Sequence, residues 1–318
     1  MSNKERYKRF CESAGSQVPL FMQHWWMDTV CFGKSWDVAL ALDGDRLLGA
    51  MPFLYGRKWG LSYVLQPQLT QFSGPLFCYP DNLSPSHRID FENRTVALLL
   101  DQLERRRLAY VLIHCAPSVS NWLPFYWAGF SQTTRYTYRI NDISDPDSLF
   151  RSFDLQKRQR KINRYADSTS VRFDMDPADF AAFHARYWNS KGKRDLLSAD
   201  FIDRVCRTAV SRGNGLLASL HDTQGRLLAA RFVAFDSECA YALLSASDPL
   251  LHRSGHNEIL IWRILQHLSG KCRAFDFEGS MDQGIEYFYR SFGAQQTPFF
   301  ALSKCNNPLF SLLLKIKK

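Results

Sequence analysis

Two carboxylates in the second half of the chain have the type and spacing to move a proton. Over residues 273–280 (RAFDFEGS), Phe275 and Phe277 would face one side of a strand, and Asp276 and Glu278 the other. A carboxylate at the end of such a strand can take a proton from an attacking amine, and a neighbouring like charge raises its pKa. We therefore take Glu278 as the candidate general base. Asp276 is its partner or a ligand for a substrate ammonium group.

Two other interpretations of these carboxylates stay open. The strand can lie at an exposed edge, or its acids can form ion pairs with Arg273 or Arg290. Arg290 is also a candidate substrate-binding residue. The sequence has no GxSxG motif and no evident Cys/His pair, so direct attack by an acceptor amine is the expected mechanism. The protein would position the reactants and polarise an acyl carbonyl through a strand N–H near Ser245 and Ser247.

A turn rich in donors precedes the strand that carries the acids. It consists of Arg253, Ser254, Gly255, His256 and Asn257. Residues 241–247 before it form an apolar run of strand length, and residues 258–268 after it have the apolar period of a helix. Free backbone N–H groups and the helix dipole favour an anion at a helix N-terminus. The turn is therefore a predicted phosphate site.

A basic segment, LQKRQRKINRYAD, spans residues 155–167. On a regular helix its basic residues would share one stripe by spacings of three and four. They are Lys157, Arg160, Lys161 and Arg164. The stripe is either a solvated face or a phosphate-binding surface, and in the second case we take Lys157, Arg160 and Lys161 as substrate-binding residues.

An aromatic and Gln-rich region in the first half is the other candidate binding surface. The pair Trp25/Trp26 and residues 58–77 (with Gln71) would wall a cleft between two domains and bind a long apolar acceptor or a sugar, with Trp26 and Gln71 as contacts. Packing of these side chains at the domain interface is the alternative. The histidines share no metal-ligand spacing, so we expect no metal.

The composition indicates a globular protein with a polyanionic partner. The 318 residues suffice for two domains, and 46% of them are hydrophobic. The formal charge is +9, which favours a nucleotide cofactor, tRNA or an acidic membrane surface. Eight scattered cysteines without CxxC spacing and a polar N-terminus indicate a cytoplasmic protein.

Residues 241–292, and the segment FDFEGSMDQGIEYFYRSFGA (275–294) above all, resemble the GNAT superfamily of acyl-CoA N-acyltransferases, in its FemABX-like branch with two GNAT-like domains. This resemblance implies an α/β (α+β) fold with two tandem GNAT-like domains, each a mixed, mostly antiparallel sheet flanked by helices. The predicted ranges are 1–144, 145–305 and a short amphipathic tail, 306–318.

The resemblance also implies roles for single residues. The turn would hold the pyrophosphate of coenzyme A, with Arg253, Gly255 and Asn257 at motif positions, or His252 in place of Arg253 in a second register. Neither register completes the motif. Tyr289 would protonate the leaving thiolate, with a packing role as the alternative. The basic segment is similar to the one that opens the second domain of FemABX-like proteins, near donor or acceptor phosphates.

Three functions follow from this resemblance. The first is N-acyl transfer from acyl-CoA, or a related activated donor, to a primary amine. The second is FemABX-like transfer from aminoacyl-tRNA to a cell-wall or lipid-linked amine. The third is a GNAT-like binding protein without catalysis, which the incomplete turn favours. The tail NPLFSLLLKIKK (307–318) is either a docked helix or an amphipathic contact with anionic lipid, so peripheral membrane association is an alternative to a purely cytoplasmic enzyme.

Overall fold

The computed structural model describes residues 1–192, 195–251, 253, 255–279, 282–308 and 310. They form two compact units, Met1–Arg135 with Pro298–Lys318 and Tyr136–Thr297. These units differ from the predicted ranges chiefly at the C-terminal strand. That strand pairs with residues of the first unit that are remote in sequence, a contact that local sequence patterns do not report.

The elements follow one another in the order that the hydrophobic patterns suggest. The first unit contains α1 (Asn3–Ala14), α2 (His24–Val30), β1 (Ser35–Asp43), β2 (Arg46–Lys58), β3 (Leu61–Leu65), β4 (Leu76–Phe77), α3 (Pro85–Glu104), β5 (Tyr110–His114) and α4 (Leu123–Trp127). Next come β6 (Ser131–Ile140), α5 (Pro146–Ser152), α6 (Arg160–Tyr165), β7 (Thr169–Arg172), α7 (Pro177–Ser190), α8 (Ala199–Ser211), β8 (Gly215–Asp222), β9 (Leu227–Phe235), β10 (Cys239–Ser247), α9 (His256–Leu268), β11 (Ala274–Asp276), α10 (Gln283–Arg290) and β12 (Gln295–Cys305).

The first unit is built on a mostly antiparallel sheet. Strands β1, β2 and β3 are antiparallel neighbours, β3 is parallel to β5, and β5 pairs with Ala301–Cys305 of β12. The turn between β1 and β2 contains Gly44 at φ +60°, a backbone conformation that glycine adopts without steric cost. The apolar face of α3 packs in the core beside residues of these strands.

The second unit contains the candidate site. Its strands lie in the order β6-β11-β10-β9-β8-β7. Only β10 and β11 are parallel, and the other neighbours are antiparallel. The core on one face joins α9 to Phe275, Phe277 and Phe292. Both units thus combine a mostly antiparallel sheet with flanking helices, which confirms the predicted fold class.

The regular helix that would carry the stripe of basic residues is broken in the structure. Residues 145–164 form α5, a π-helical turn at Leu155–Gln159 and then α6. The break occurs because Phe153 is extended (φ −69°, ψ 148°) and Asp154 begins a new helical segment by accepting the N–H of Lys157 at 2.7 Å. Ser198 caps the N-terminus of α8, since its Oγ accepts the N–H of Phe201 at 3.2 Å.

Within the described ranges, no helix has both the length and the apolar character that crossing a bilayer requires. Of the predicted tail, only residues 306–308 and 310 lie among those described. The aromatic ring of Phe310 stacks on Tyr110 with a centroid distance of 5.5 Å.

Candidate active site

Asp276 is the most firmly held acid of the chain's predicted site. It lies on β11, which is paired on both edges, and its side chain is fully buried. Its Oδ1 accepts hydrogen bonds from Thr137 Oγ1 and from the N–H of Glu278, the latter at 2.7 Å. Thr137 Oγ1 in turn accepts the N–H of Gly279 at 3.1 Å. Asp276 therefore organises the turn that follows β11, and neither the exposed-edge interpretation nor an ion pair with Arg273 describes it.

Glu278, the candidate base, lies two residues after the end of β11. Its backbone has φ +59°, which is uncommon for a residue with a side chain. The residue is partly exposed, yet its Oε1 atom is buried and has no hydrogen-bond partner among the described residues. Burial raises the pKa of Glu278 well above its ordinary value, and the nearby charge of Asp276 raises it further. A carboxylate with these properties is a stronger base than one in water.

Close packing explains the course of the chain after Glu278. A Cβ atom on Gly279 would lie 2.0 Å from the carbonyl oxygen of Tyr136 on β6. Only glycine allows the backbone to approach β6 this closely. The carboxylate of Glu278 is thus held on a turn that β6 supports from behind.

Tyr289 lies beside these acids on α10. Its ring stacks on Phe277 with a centroid distance of 4.8 Å. Burial raises the pKa of Tyr289, and the charges of Glu278 and Asp276 act in the same direction. Arg231 on β9 is close enough to lower it. The phenol stays protonated at neutral pH and can donate a proton or a hydrogen bond.

Arg231 lies near this site but was not predicted from the sequence. This arginine is buried in the centre of β9, where the sequence reads LLAARFVAF. Burial lowers the pKa of its guanidinium, and Tyr289 opposes that effect. A charged residue within an apolar strand run was the signal that could have revealed it.

Strand β10 separates from β11 next to the acids. The two strands pair only through Cys239–Tyr241 on β10, whereas β10 continues to Ser247. The register between β10 and β9 shifts between Tyr241 and Leu244, as at a β-bulge. The segment with Ser245 and Ser247 therefore has no partner in β11 on that edge, and its backbone is a candidate donor to an acyl oxygen.

The predicted phosphate turn is filled by the protein's own side chains. Gly255 has φ +114°, and its N–H donates to Glu258 Oε2 at 3.1 Å. Glu258 Oε1 accepts from Arg158 Nη1 at 2.9 Å and from Lys161 Nζ at 3.2 Å. A Cβ on Gly255 would lie 2.4 Å from the ring of Tyr165. A carboxylate with its own cations thus occupies the place where a pyrophosphate was expected.

The other residues of this turn point to the same conclusion. His256 is buried, its ring packs edge-on against Tyr165, and its Nδ1 accepts the N–H of Arg253 at 3.0 Å. The guanidinium of Arg253 donates to the carbonyl of Leu250 at 2.9 Å. Asn257 is half-buried. The second register, through His252, lies outside the described residues. The described residues of this turn fit coenzyme A poorly.

The basic segment divides into two groups because of the π-helical turn. Arg158 and Lys161 face Glu258, whereas Lys157 and Arg160 are exposed. Lys157 Nζ and the Arg290 guanidinium lie 5.7 and 5.3 Å from the ring centre of Tyr287. Arg290 also pairs with Glu286 at 2.9 Å. An exposed cationic surface with an aromatic centre therefore remains beside α10.

The two aromatic-region candidates are interior residues of the first unit. Trp26 is fully buried, and its indole N–H donates to Thr70 Oγ1 at 3.0 Å. Gln71 is also buried. In this conformation they present almost no surface to a substrate, and their contacts lie within the first unit. Among the described residues, no group of three or more His, Cys, Asp or Glu side chains could hold a metal ion.

Comparison with known proteins identifies the fold. Residues 151–289 match the family model of the acetyltransferase (GNAT) domain. Among solved structures, FemX has a TM-score of 0.72 at 12% identity, covering 97% of this chain and 98% of that one. The C-terminal domain of an Agrobacterium fabrum protein described as a lysylphosphatidylglycerol synthetase has a TM-score of 0.60 at 14% identity, with coverages of 99% and 96%.

A tandem GNAT protein from the clavulanic acid biosynthesis pathway has a TM-score of 0.53 at 9% identity, covering 95% of this chain and 94% of its own. No curated protein sequence matches the chain significantly. Residues 151–289 therefore match a GNAT domain, as the resemblance of the sequence predicts, and the chain shares its fold with FemX and with a tandem GNAT protein.

Proposed function

We propose that this protein is an acyltransferase that acylates a primary amine by direct attack. The observation that carries this proposal is the Glu278 carboxylate, which is poised at the end of β11 with a buried, unpartnered Oε1 and a raised pKa. The amine nitrogen attacks the carbonyl carbon of the activated donor. The bond from that carbon to the donor oxygen or sulfur then breaks, and Glu278 takes the proton that the amine loses.

Tyr289 and β10 complete the proposed mechanism. The leaving oxygen or sulfur takes a proton from Tyr289, whose raised pKa keeps its hydroxyl protonated. A backbone N–H of β10 near Ser245 and Ser247 donates to the carbonyl oxygen as negative charge develops there. Asp276 acts through Glu278. It accepts the backbone N–H of Glu278, which holds that residue in place, and its charge raises the pKa of the Glu278 carboxylate.

Two donors are candidates, and one observation separates them. Acyl-CoA is the donor that the GNAT resemblance suggests. However, the Gly255 N–H already binds Glu258, whose negative charge would repel a pyrophosphate placed against it. This contact favours an aminoacyl ester of tRNA, which does not require a pyrophosphate-binding site at α9. Lys157, which lies over Tyr287 of α10, and Arg160 are both exposed and would contact RNA phosphates.

The acceptor belongs to the small-molecule or lipid-linked amines. The name of the Agrobacterium neighbour denotes a lipid that carries an amino acid, which supports a lipid-linked acceptor. Peripheral membrane contact through the predicted tail would bring the enzyme to such an acceptor.

The decisive experiment compares the two donors on the same protein. Labelled acetyl-CoA and tRNA charged with labelled amino acids are each incubated with the protein and a panel of amines, and amide-linked label is counted. We expect label from aminoacyl-tRNA, retention of charged tRNA on a filter at low salt, and no thermal stabilisation by acyl-CoA. Transfer from acetyl-CoA alone would reverse the donor assignment.

The matched variants are Glu278→Gln and Glu286→Gln. Glu286 lies on α10 and forms a solvent-accessible pair with Arg290, so its loss should leave transfer intact. Glu278→Gln should abolish most transfer while donor binding persists. Unchanged turnover in Glu278→Gln would remove the base assignment. If neither donor bound and no amine were acylated, the chain would be a binding protein with a GNAT fold.

A further inference from the structure

Two arginines of the second unit are buried equally but paired differently. Arg158 is 4% exposed and Arg231 is 5% exposed. Arg158 forms an ion pair with Glu258 at 2.9 Å. Arg231 has no ion pair among the described residues. The Nε atoms of both arginines are buried without a hydrogen-bond partner among those residues, so the ion pair is what distinguishes them. The second unit therefore contains a guanidinium cation that its own described acids do not neutralise.

An uncompensated buried cation is costly, because the interior replaces few of the interactions that water made with it. Proteins keep such a charge where a ligand or partner supplies the opposite one. Arginine in particular recognises planar oxyanions, since its N–H groups match the two oxygens of a carboxylate or phosphate. The burial of Arg231 thus points to an anionic ligand.

The residues paired with Arg231 on the neighbouring strands have small side chains. Arg231 is directly paired with Ser245 on β10 and with Ala218 on β8, and directly paired residues place their side chains on the same face. Both neighbours are small. Ser245 is exposed, so an incoming molecule can reach this part of the sheet. Ser245 can also donate its hydroxyl to the same anion.

Arg231 is also connected to the proposed catalytic groups. Its charge acts on Tyr289, and Tyr289 responds in addition to Glu278 and Asp276. Tyr289 on α10 is therefore influenced both by the cation on β9 and by the acids of the β11 end.

We propose that Arg231, with Ser245 beside it, binds a carboxylate or phosphate group of the acceptor, and that the acceptor is therefore an amine that also carries an oxyanion. The anion site itself is independent of the reaction. The assignment of the anion to the acceptor rests on the proposed function, because it assumes that the amine of the same molecule faces Glu278.

Thermal unfolding in an oxyanion-free buffer tests the site, with inorganic phosphate and acetate as separate probes. Saturating phosphate or acetate should raise the Tm of the wild-type protein by about 5 °C. Arg231→Met should remove this response and raise the Tm of the ligand-free protein, whereas Arg158→Met should lower it. Arg231→Lys keeps the charge and should keep part of the response, which covers the case in which the Met variant does not fold.

The two probes distinguish the source of the anion, because a response to acetate indicates a carboxylate and a response to phosphate alone indicates a phosphate. A wild-type protein whose Tm responds to neither probe would overturn the proposal, as would an Arg231→Met variant that responds like the wild type. Glu278→Gln should retain the response. An anion response without transfer from any donor would leave the site standing and refute only the proposed function.

Discussion

The ion pair between Arg158 and Glu258 makes the sharpest stability prediction. Both side chains are almost fully buried, and Arg158 Nη1 lies 2.9 Å from Glu258 Oε1. Glu258→Gln removes the negative charge and leaves Arg158 buried without a counter-charge. Breaking a buried pair on one side costs about 3–5 kcal/mol. The lower end applies here, because glutamine can still accept the N–H of Gly255 and Lys161 can turn towards solvent.

Urea unfolding followed by circular dichroism measures this loss. We expect Glu258→Gln to lower the free energy of unfolding by about 3 kcal/mol. The double variant Arg158→Met/Glu258→Met should recover most of the stability, because replacing both charges by apolar groups of similar size is often neutral. The matched control is Glu286→Gln, which breaks the exposed pair with Arg290 and should cause no measurable change.

A loss below about 1 kcal/mol for Glu258→Gln would refute this reasoning, because an exposed pair has that magnitude. A double variant that is less stable than either single variant would refute it as well. In either case the Gly255 turn would not be held by a buried charge network, and Glu258 would no longer oppose the binding of a pyrophosphate at α9.

Three further predictions concern the end of β11. Glu278→Gln should be more stable than the wild type at high pH but not in acid. Because the pKa of Glu278 is raised in the folded protein, the protonated side chain stabilises the fold fully below the ordinary Glu pKa. This stabilisation is lost as the pH rises through the folded-state pKa. A Tm difference that does not change with pH would contradict this. Gly279→Ala should unfold at a much lower temperature than the wild type, because the added Cβ would lie 2.0 Å from a backbone carbonyl oxygen. Gly225→Ala should lower the Tm far less, because a Cβ there has no atom within 4 Å. Equal decreases in Tm would argue against close packing at Gly279. Thr137→Val should lower the free energy of unfolding by about 1–3 kcal/mol and remove most transfer activity, because Asp276 and the N–H of Gly279 both lose a hydrogen-bond partner. A fully active and stable variant would show that Asp276 does not need this hydrogen bond to hold its position.

The local features of the site are encoded in short stretches of the sequence. The strand with Asp276 and Glu278, the turn at Gly255 and the cap at Ser198 all depend on residue types within a few positions of one another. Such short-range patterns are what sequence reports best. The break in residues 145–164 was not predicted, because the basic residues there fit a regular helical spacing while Asp154 and Phe153 began a new segment.

The partners of each charge required the tertiary structure. Glu258 and Arg158 are 100 residues apart, and Arg231 meets Tyr289 only because β9 and α10 pack into the same unit. The sequence by itself determined most of the strands and helices, the GNAT resemblance and the two acids at the end of β11, because each is encoded by neighbouring residues. Only the tertiary structure decided which buried charges have a charged partner, because burial and pairing depend on contacts between segments that are remote along the chain.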